Sequence, residues 1–249
     1  MLEIPIRYNI RLMKSSSKNI KIPLIQFSGV GKSYAKTTIL SNITFSILKG
    51  EMVGILGPIG AGKTTLLHIM LNLIKQDIGT VRFFSLNMEH NAQSILQRMN
   101  FASSLLRLNG YSSVFENLVT FGRLYRVQNI KNKIMNLTSY FNIKHLMHTK
   151  VYKLSAGENT KVNLCKSFLN DPEILLFDEI TAYLDPNSIS KLFSLLRKKN
   201  KTQKLTVLYV SHKYEDIETL CSRLIALNKG HIVYDGKAIK NQEIFSHEK

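Results

Sequence analysis

The chain has 249 residues, 44% of them hydrophobic, enough to bury the core of one large domain or two small ones and too apolar for disorder throughout. Lys and Arg number 34 against 17 Asp and Glu, and the formal net charge of +17 draws the chain toward something anionic: a nucleotide, nucleic acid or an acidic membrane surface. Cys165 and Cys221 lack CxxC spacing, so they imply neither a disulfide framework nor a zinc site; they read as small buried hydrophobes in a reducing compartment.

Residues 1–22 form a basic N-terminal extension, with Arg7, Arg11, Lys14, Lys18 and Lys21 against the single acid Glu3. Three readings fit it: a frayed, solvated tail, a transit peptide or a membrane-surface segment. From Pro23 the stretches "LIQFSGV", "ILSNITFSI" and "EMVGILG" read as strands separated by polar or glycine-bearing turns. "KTTLLHIMLNLI", residues 63–74, is apolar on most of its circumference, as a helix packed inside a sheet layer should be. "DIGTVRFF" returns to strand character. From Met88 to about residue 160 the chain turns polar and helical, which predicts a separate helical subdomain inserted into an α/β core.

The α/β rhythm resumes with the strand "EILLF", the helix "NSISKLFSLLRKKN", the strand "KLTVLYV" and the helix "KYEDIETLCS". A hairpin, "RLIALNKGHIVYDG", follows with Asn228 and Gly230 at its turn, and residues 241–249 are left as a C-terminal tail. Short apolar strands alternating with helices predict an α/β fold with a mainly parallel sheet covered on both faces.

The strongest motif is "GPIGAGKTT", residues 57–65, which fits G-x-x-x-x-G-K-[ST] between an apolar strand and a helix. Glycines let successive backbone N–H groups curl round phosphate oxygens, and the helix that follows presents its positive end. Lys63 would neutralise the β- and γ-phosphates and the Thr64 hydroxyl would take a Mg²⁺ position. "ILLFDEI" ends an apolar strand in Asp178 and Glu179, two carboxylates suited to holding Mg²⁺ and orienting the attacking water. His212 closes "LTVLYVSH" at the same expected sheet edge, where open α/β sheets bind ligands. "LSAGENTKV", residues 154–162, reads as a helix start.

Taken in order, Tyr34, the phosphate loop, "LSAGE", "ILLFDE", "AYLD" ending at Asp185, and His212 resemble the ATP-binding-cassette (ABC) ATPases over residues 24 to about 236. The resemblance implies one ABC ATPase domain over residues 23–240: a P-loop NTPase (RecA-like) core, an antiparallel β subdomain and the inserted helical subdomain. It implies Mg-dependent ATP hydrolysis, with ATP and Mg²⁺ as cofactors. Tyr34 would stack on adenine, Gly57, Pro58, Ile59, Gly60, Ala61, Gly62, Lys63, Thr64 and Thr65 would hold the phosphates, and Thr64 and Asp178 would hold Mg²⁺. Glu179 would be the catalytic base and His212 would contact the γ-phosphate. Ser155 and Gly157 would meet the γ-phosphate held by an opposite subunit, and Asp185 would communicate across that dimer. On residue type alone, Tyr34 also reads as a strand-end aromatic and Asp185 before Pro186 as a turn or helix-entry residue.

Three departures from the family pattern stand out. Ser104 occupies the place of the usual glutamine, Ile180 replaces the proline that stiffens the turn after the acidic pair, and LSAGE replaces LSGGQ. Ile180 is expected to alter loop rigidity and not chemistry, and Glu158 is expected to point away from phosphate.

One cassette with no apolar run of the roughly 20 residues that cross a bilayer resembles the separate ATPase subunit of a transporter. "RMNFASSLLRLNGYSSVFENLVTFGRLY" is similar to ATPases of bacterial exporters with separate permeases. The partners implied are an integral-membrane permease and a second ABC ATPase subunit, identical or not. The location implied is cytoplasmic, peripheral on the cytoplasmic face of the membrane, and nucleic acid is not an expected partner. The alternative is a soluble ABC ATPase acting on nucleic acid or ribosomes, to which the +17 charge lends support, or one in iron–sulfur assembly.

Overall fold

Strand-forming and helix-forming stretches alternate along the chain, and they close into two sheets. A computed structural model describes residues 22–238; the basic extension, apart from Ile22, and the tail at residues 241–249 lie outside the described residues. Four strands, β1 (Ile25–Tyr34), β2 (Thr37–Ile47), β4 (Ile78–Phe83) and β5 (Leu86–Asn87), form an antiparallel sheet in the order β2-β1-β4-β5. Six others form the second sheet: β3 (Met52–Leu56), β6 (Met99–Ser103), β7 (Ile174–Asp178), β8 (Thr206–Val210), β9 (Arg223–Asn228) and β10 (His231–Lys237). Their order is β10-β9-β3-β8-β7-β6, parallel except where β10 turns back on β9.

The continuous apolar strands of the second sheet are explained by burial on both faces. Along β8, Val207 and Tyr209 enter one hydrophobic cluster and Leu208 and Val210 the other; along β7, Leu175 and Phe177 oppose Ile174 and Leu176. Helix α1 (Lys63–Met70), α2 (Met88–Gln97) and the antiparallel sheet cover one face. The other is covered by α3 (Val114–Leu124), α4 (Ile130–Tyr140), α5 (Ala156–Ser167), α6 (Pro186–Gln203) and α7 (Tyr214–Leu220). Both cysteines are free and buried, and burial pushes the Cys221 thiol up to about 12. Among the described residues no helix is long and apolar enough to cross a membrane.

Two expectations are corrected. The stretch from Met88 to residue 160 is not a purely helical insertion: α2 packs with α1, and "MNFAS" is the edge strand β6, paired in parallel with β7 from Met99 to Ser103. The continuous helical portion runs from α3 through α5, to Ser167. Second, α1 ends at Met70 and not at residue 74, because Asn72 takes the left-handed conformation at φ 55° that asparagine tolerates.

The parallel register positions the site. Ile55 lies opposite Val210, and Val210 opposite Asp178, so the carboxyl ends of β3, β8 and β7 form one row at one edge of the sheet.

Candidate active site

The row carries the phosphate loop after β3, the acidic pair at the end of β7 and His212 just past β8. The loop needs its glycines for different reasons. A Cβ on Gly57 would stand 2.4 Å from the Leu227 carbonyl, so the backbone is pressed against the neighbouring strand. Gly62, the N-cap of α1, adopts φ 102°, a conformation strained for any residue with a side chain. The Lys63 ammonium donates to the carbonyls of Gly57 (2.7 Å) and Pro58 (2.9 Å), curling back over its own loop. Burial lowers its pKa, while Glu179 and Asp178 act in the opposite sense. Thr64 is exposed and Thr65 half-buried in the first turn of α1.

Asp178 is held above the ordinary carboxylate range, first by burial and then by the neighbouring Glu179 charge, with Lys63 opposing. Two carboxylates side by side at a half-buried strand end call for cations. Glu179 sits in the left-handed region at φ 49°, at a cost of ~1 to 3 kcal/mol that the surroundings must offset. Its N–H donates to the Val210 carbonyl at 3.0 Å. Its Oε2 lies 2.7 Å from His212 Nδ1 and accepts from the Ser211 hydroxyl at 3.4 Å. Lys63, Glu179, His212, Gly57, Pro58 and Ile59 all line one cavity of about 780 Å³.

A second, separate cavity of about 400 Å³ opens at the start of α5, lined by Ser104, Arg107, Tyr152, Ser155, Ala156 and Tyr183 among others. Ser155 is the N-cap of α5, and its hydroxyl accepts the Glu158 N–H. The Glu158 carboxylate turns back to accept from the Ser155 N–H at 2.8 Å and the Ser155 hydroxyl at 2.9 Å, completing a capping box. The carboxylate is thus engaged with the start of its own helix. Those bonds hold its pKa below the ordinary range, so it stays ionised at neutral pH. Gly157 lets the chain pass close to the Tyr183 carbonyl, which a Cβ would meet at 2.8 Å.

The sequence profile described as ABC transporter matches residues 40–182, more than half of the chain. The chain belongs to the ABC transporter family. This cassette is 30% identical over 227 residues to a Nod factor export ATP-binding protein I of Rhizobium johnstonii, covering 90% of the cassette and 73% of that protein. It is 28% identical to the linearmycin resistance ATP-binding protein LnrL of Bacillus subtilis, covering 86% and 69% respectively. Among solved structures, an ATP-binding cassette determined as a dimer in a post-hydrolysis state with ADP and Pi matches it with a TM-score of 0.77 at 24% identity, over 87% of this chain and 100% of that one. The P-loop ATPase fold expected from the motifs is therefore the fold found.

Not every predicted residue of the cassette meets at the phosphate loop. Tyr34 ends β1 on the antiparallel sheet, 47% exposed, with the Lys32 ammonium 5.5 Å from its ring centre, and it is not among the residues lining the larger cavity. Asp185 caps α6, its Oδ1 accepting from the Ser188 N–H at 2.9 Å, and it also pairs with Lys161 at 3.2 Å. Ser104 is buried, and its N–H donates to the Asp178 carbonyl at 3.3 Å while its residue lines the second cavity. Ser211 and Tyr214 were not singled out from sequence and Asn228 was read only as a hairpin-turn residue, yet Ser211 touches Glu179 and the other two line the larger cavity. The position of Ser211 next to His212 was the available signal.

Proposed function

We propose that this ABC ATPase is the energy-supplying subunit of an exporter, pairing with a second cassette around two ATP molecules and driving a separate membrane permease from the cytoplasmic face of the membrane. The observation that carries the reading is the convergence of Lys63, Asp178, Glu179 and His212 at the ends of three adjacent parallel strands. The export-related names of the relatives and their coverage of this chain support the transport side.

In this reading the Lys63 ammonium exchanges the Gly57 and Pro58 carbonyls for the β- and γ-phosphates, and the loop N–H groups and the α1 N-terminus hold the remaining oxygens. Tyr34 stacks on adenine. Thr64 and Asp178 supply the hard oxygen donors that suit Mg²⁺, and the raised pKa of Asp178 fits a carboxylate awaiting a cation. When bound, Mg²⁺ would neutralise the developing phosphate charge. Glu179 accepts the proton of the attacking water as its oxygen bonds to the γ-phosphorus and the bond to ADP breaks. His212, bonded to Glu179 through Nδ1, fixes that carboxylate and contacts the γ-phosphate. Ser155 and Gly157 face the nucleotide of the opposite cassette, and Asp185 links the two.

One preparation tests the enzyme and the partner. A tagged Glu179→Gln chain, recovered with its host's detergent-solubilised membranes, should retain ATP, hydrolyse it about 100-fold or more slowly than the parent, and bring down a multi-span protein. Unchanged turnover would remove Glu179 from the base's role. Salt-sensitive RNA retention or a soluble scaffold in place of the multi-span partner would favour the alternative functions.

A further inference from the structure

We propose that Thr181, Asp216 and Tyr209 form a positioning device that keeps the Glu179 and His212 segments in one register for hydrolysis. Two residues past Glu179, the Thr181 hydroxyl donates to Asp216 Oδ2 at 2.5 Å; four residues past His212, Asp216 lies in the first turn of α7. The hydroxyl of Tyr209, reaching out of β8 between them, lies 3.1 Å from both Thr181 Oγ1 and Asp216 Oδ2. The three groups close a triangle in which two hydroxyl protons serve one carboxylate.

The placement is specific. Tyr209 is wholly buried and its ring is wedged edge-on against Phe177 (6.3 Å) and Phe193 (6.0 Å), so the hydroxyl cannot wander. Thr181 is also buried, at 2% exposure. Burying hydroxyls against a carboxylate is costly unless every bond is made, and apolar side chains of similar size would fill the space with less desolvation. What the polar set adds is direction. It joins the turn after β7 to the helix after β8, beneath the 2.7 Å contact of Glu179 with His212.

Such a clamp is needed here for two reasons. Glu179 is held at φ 49°, a conformation that persists only where its surroundings over-determine it. The next residue is Ile180, which has no ring to fix its own backbone. Ile180 anchors the turn by burial alone, and the triangle supplies the second anchor.

The inference rests on the reading of Glu179 as the base, so Glu179→Gln is assayed alongside. Thr181→Val and Asp216→Ala in the full chain should each lower kcat about tenfold or more while KM for ATP stays within about twofold. Thr181→Ser, which restores a hydroxyl at the same carbon, should return kcat to within about twofold of the parent. Tyr209→Phe, which removes one oxygen and keeps the packing, should lower kcat several-fold, and the Thr181→Val, Asp216→Ala double variant should be little worse than either single. A kcat within twofold of the parent in Thr181→Val, Asp216→Ala or Tyr209→Phe would overturn the proposal. A parallel loss of turnover and nucleotide affinity, the mark of residues that only hold the fold, would overturn it equally. If Glu179→Gln is itself fully active, the reading of the base fails and the triangle has no hydrolytic role to serve.

Discussion

At residue scale the sharpest consequence comes from Glu158. Its carboxylate occupies both the hydroxyl and the N–H of Ser155, the donors that the proposed sandwich would turn toward a partner's γ-phosphate. A charged acceptor already seated there both competes for the donors and repels phosphate. Glutamine at the same place can still complete a capping box without the charge. In a Glu179→Gln background, Glu158→Gln should therefore strengthen ATP-driven dimerisation by about tenfold, roughly 1.4 kcal/mol, read by analytical ultracentrifugation across a concentration series. No gain would mean that Glu158 leaves Ser155 at no cost when the partner arrives. The motifs made Lys63, Asp178, Glu179 and His212 legible because each lies at the end of an apolar strand or within a loop of fixed spacing. The turn of Glu158 back onto Ser155 was written in the Ser-x-x-Glu spacing of residues 155–158, the signature of a capping box, and was missed because the residue was weighed only by its charge toward phosphate.

At the scale of elements, what could be read was what burial imposes on both faces of a strand. β3, β7 and β8 announce themselves as unbroken apolar runs. The edge strand β6 does not: its Asn100 looks like a loop residue, yet its amide donates to Asn170 Oδ1 at 2.8 Å and to the Lys166 carbonyl at 3.3 Å. The same contact surface buries Lys166, whose ammonium donates to the Phe101 carbonyl at 2.5 Å and sits 5.5 Å from the centre of the Phe121 ring. Burial lowers the Lys166 pKa to about 8. Between about 8 and the ordinary lysine value of 10.5 the unfolded chain binds the extra proton and the folded chain does not, so this group makes stability rise with pH across that window. The slope contributed by one such group is at most ~1.4 kcal/mol per pH unit. Lys166→Met, which keeps the aliphatic length and removes the titration, should flatten that rise in urea unfolding measured from pH 7 to 10. An unchanged slope would show that the ammonium is not desolvated.

At the scale of the molecule, the two cavities share no lining residue, and that separation carries a quantitative prediction. If each nucleotide is held by the phosphate loop of one chain and by Ser155 of the other, Lys63→Ala and Ser155→Ala should each abolish hydrolysis alone. Mixing equal amounts and allowing exchange puts about half of the dimers in the mixed state. In a mixed dimer one site combines both lesions, while the other joins the intact phosphate loop of the Ser155 variant to the intact Ser155 of the Lys63 variant. With independent sites, a quarter of all sites are then whole, and about a quarter of the parent turnover should return. A site completed within one chain predicts no recovery at any ratio, because each variant would carry its lesion in every site it forms. Recovery that falls away on dilution, in step with dimer dissociation, would show that the active site is completed by a second copy of this chain. No recovery at any ratio, with each variant inactive alone, would overturn assembly of the site between two copies of this chain.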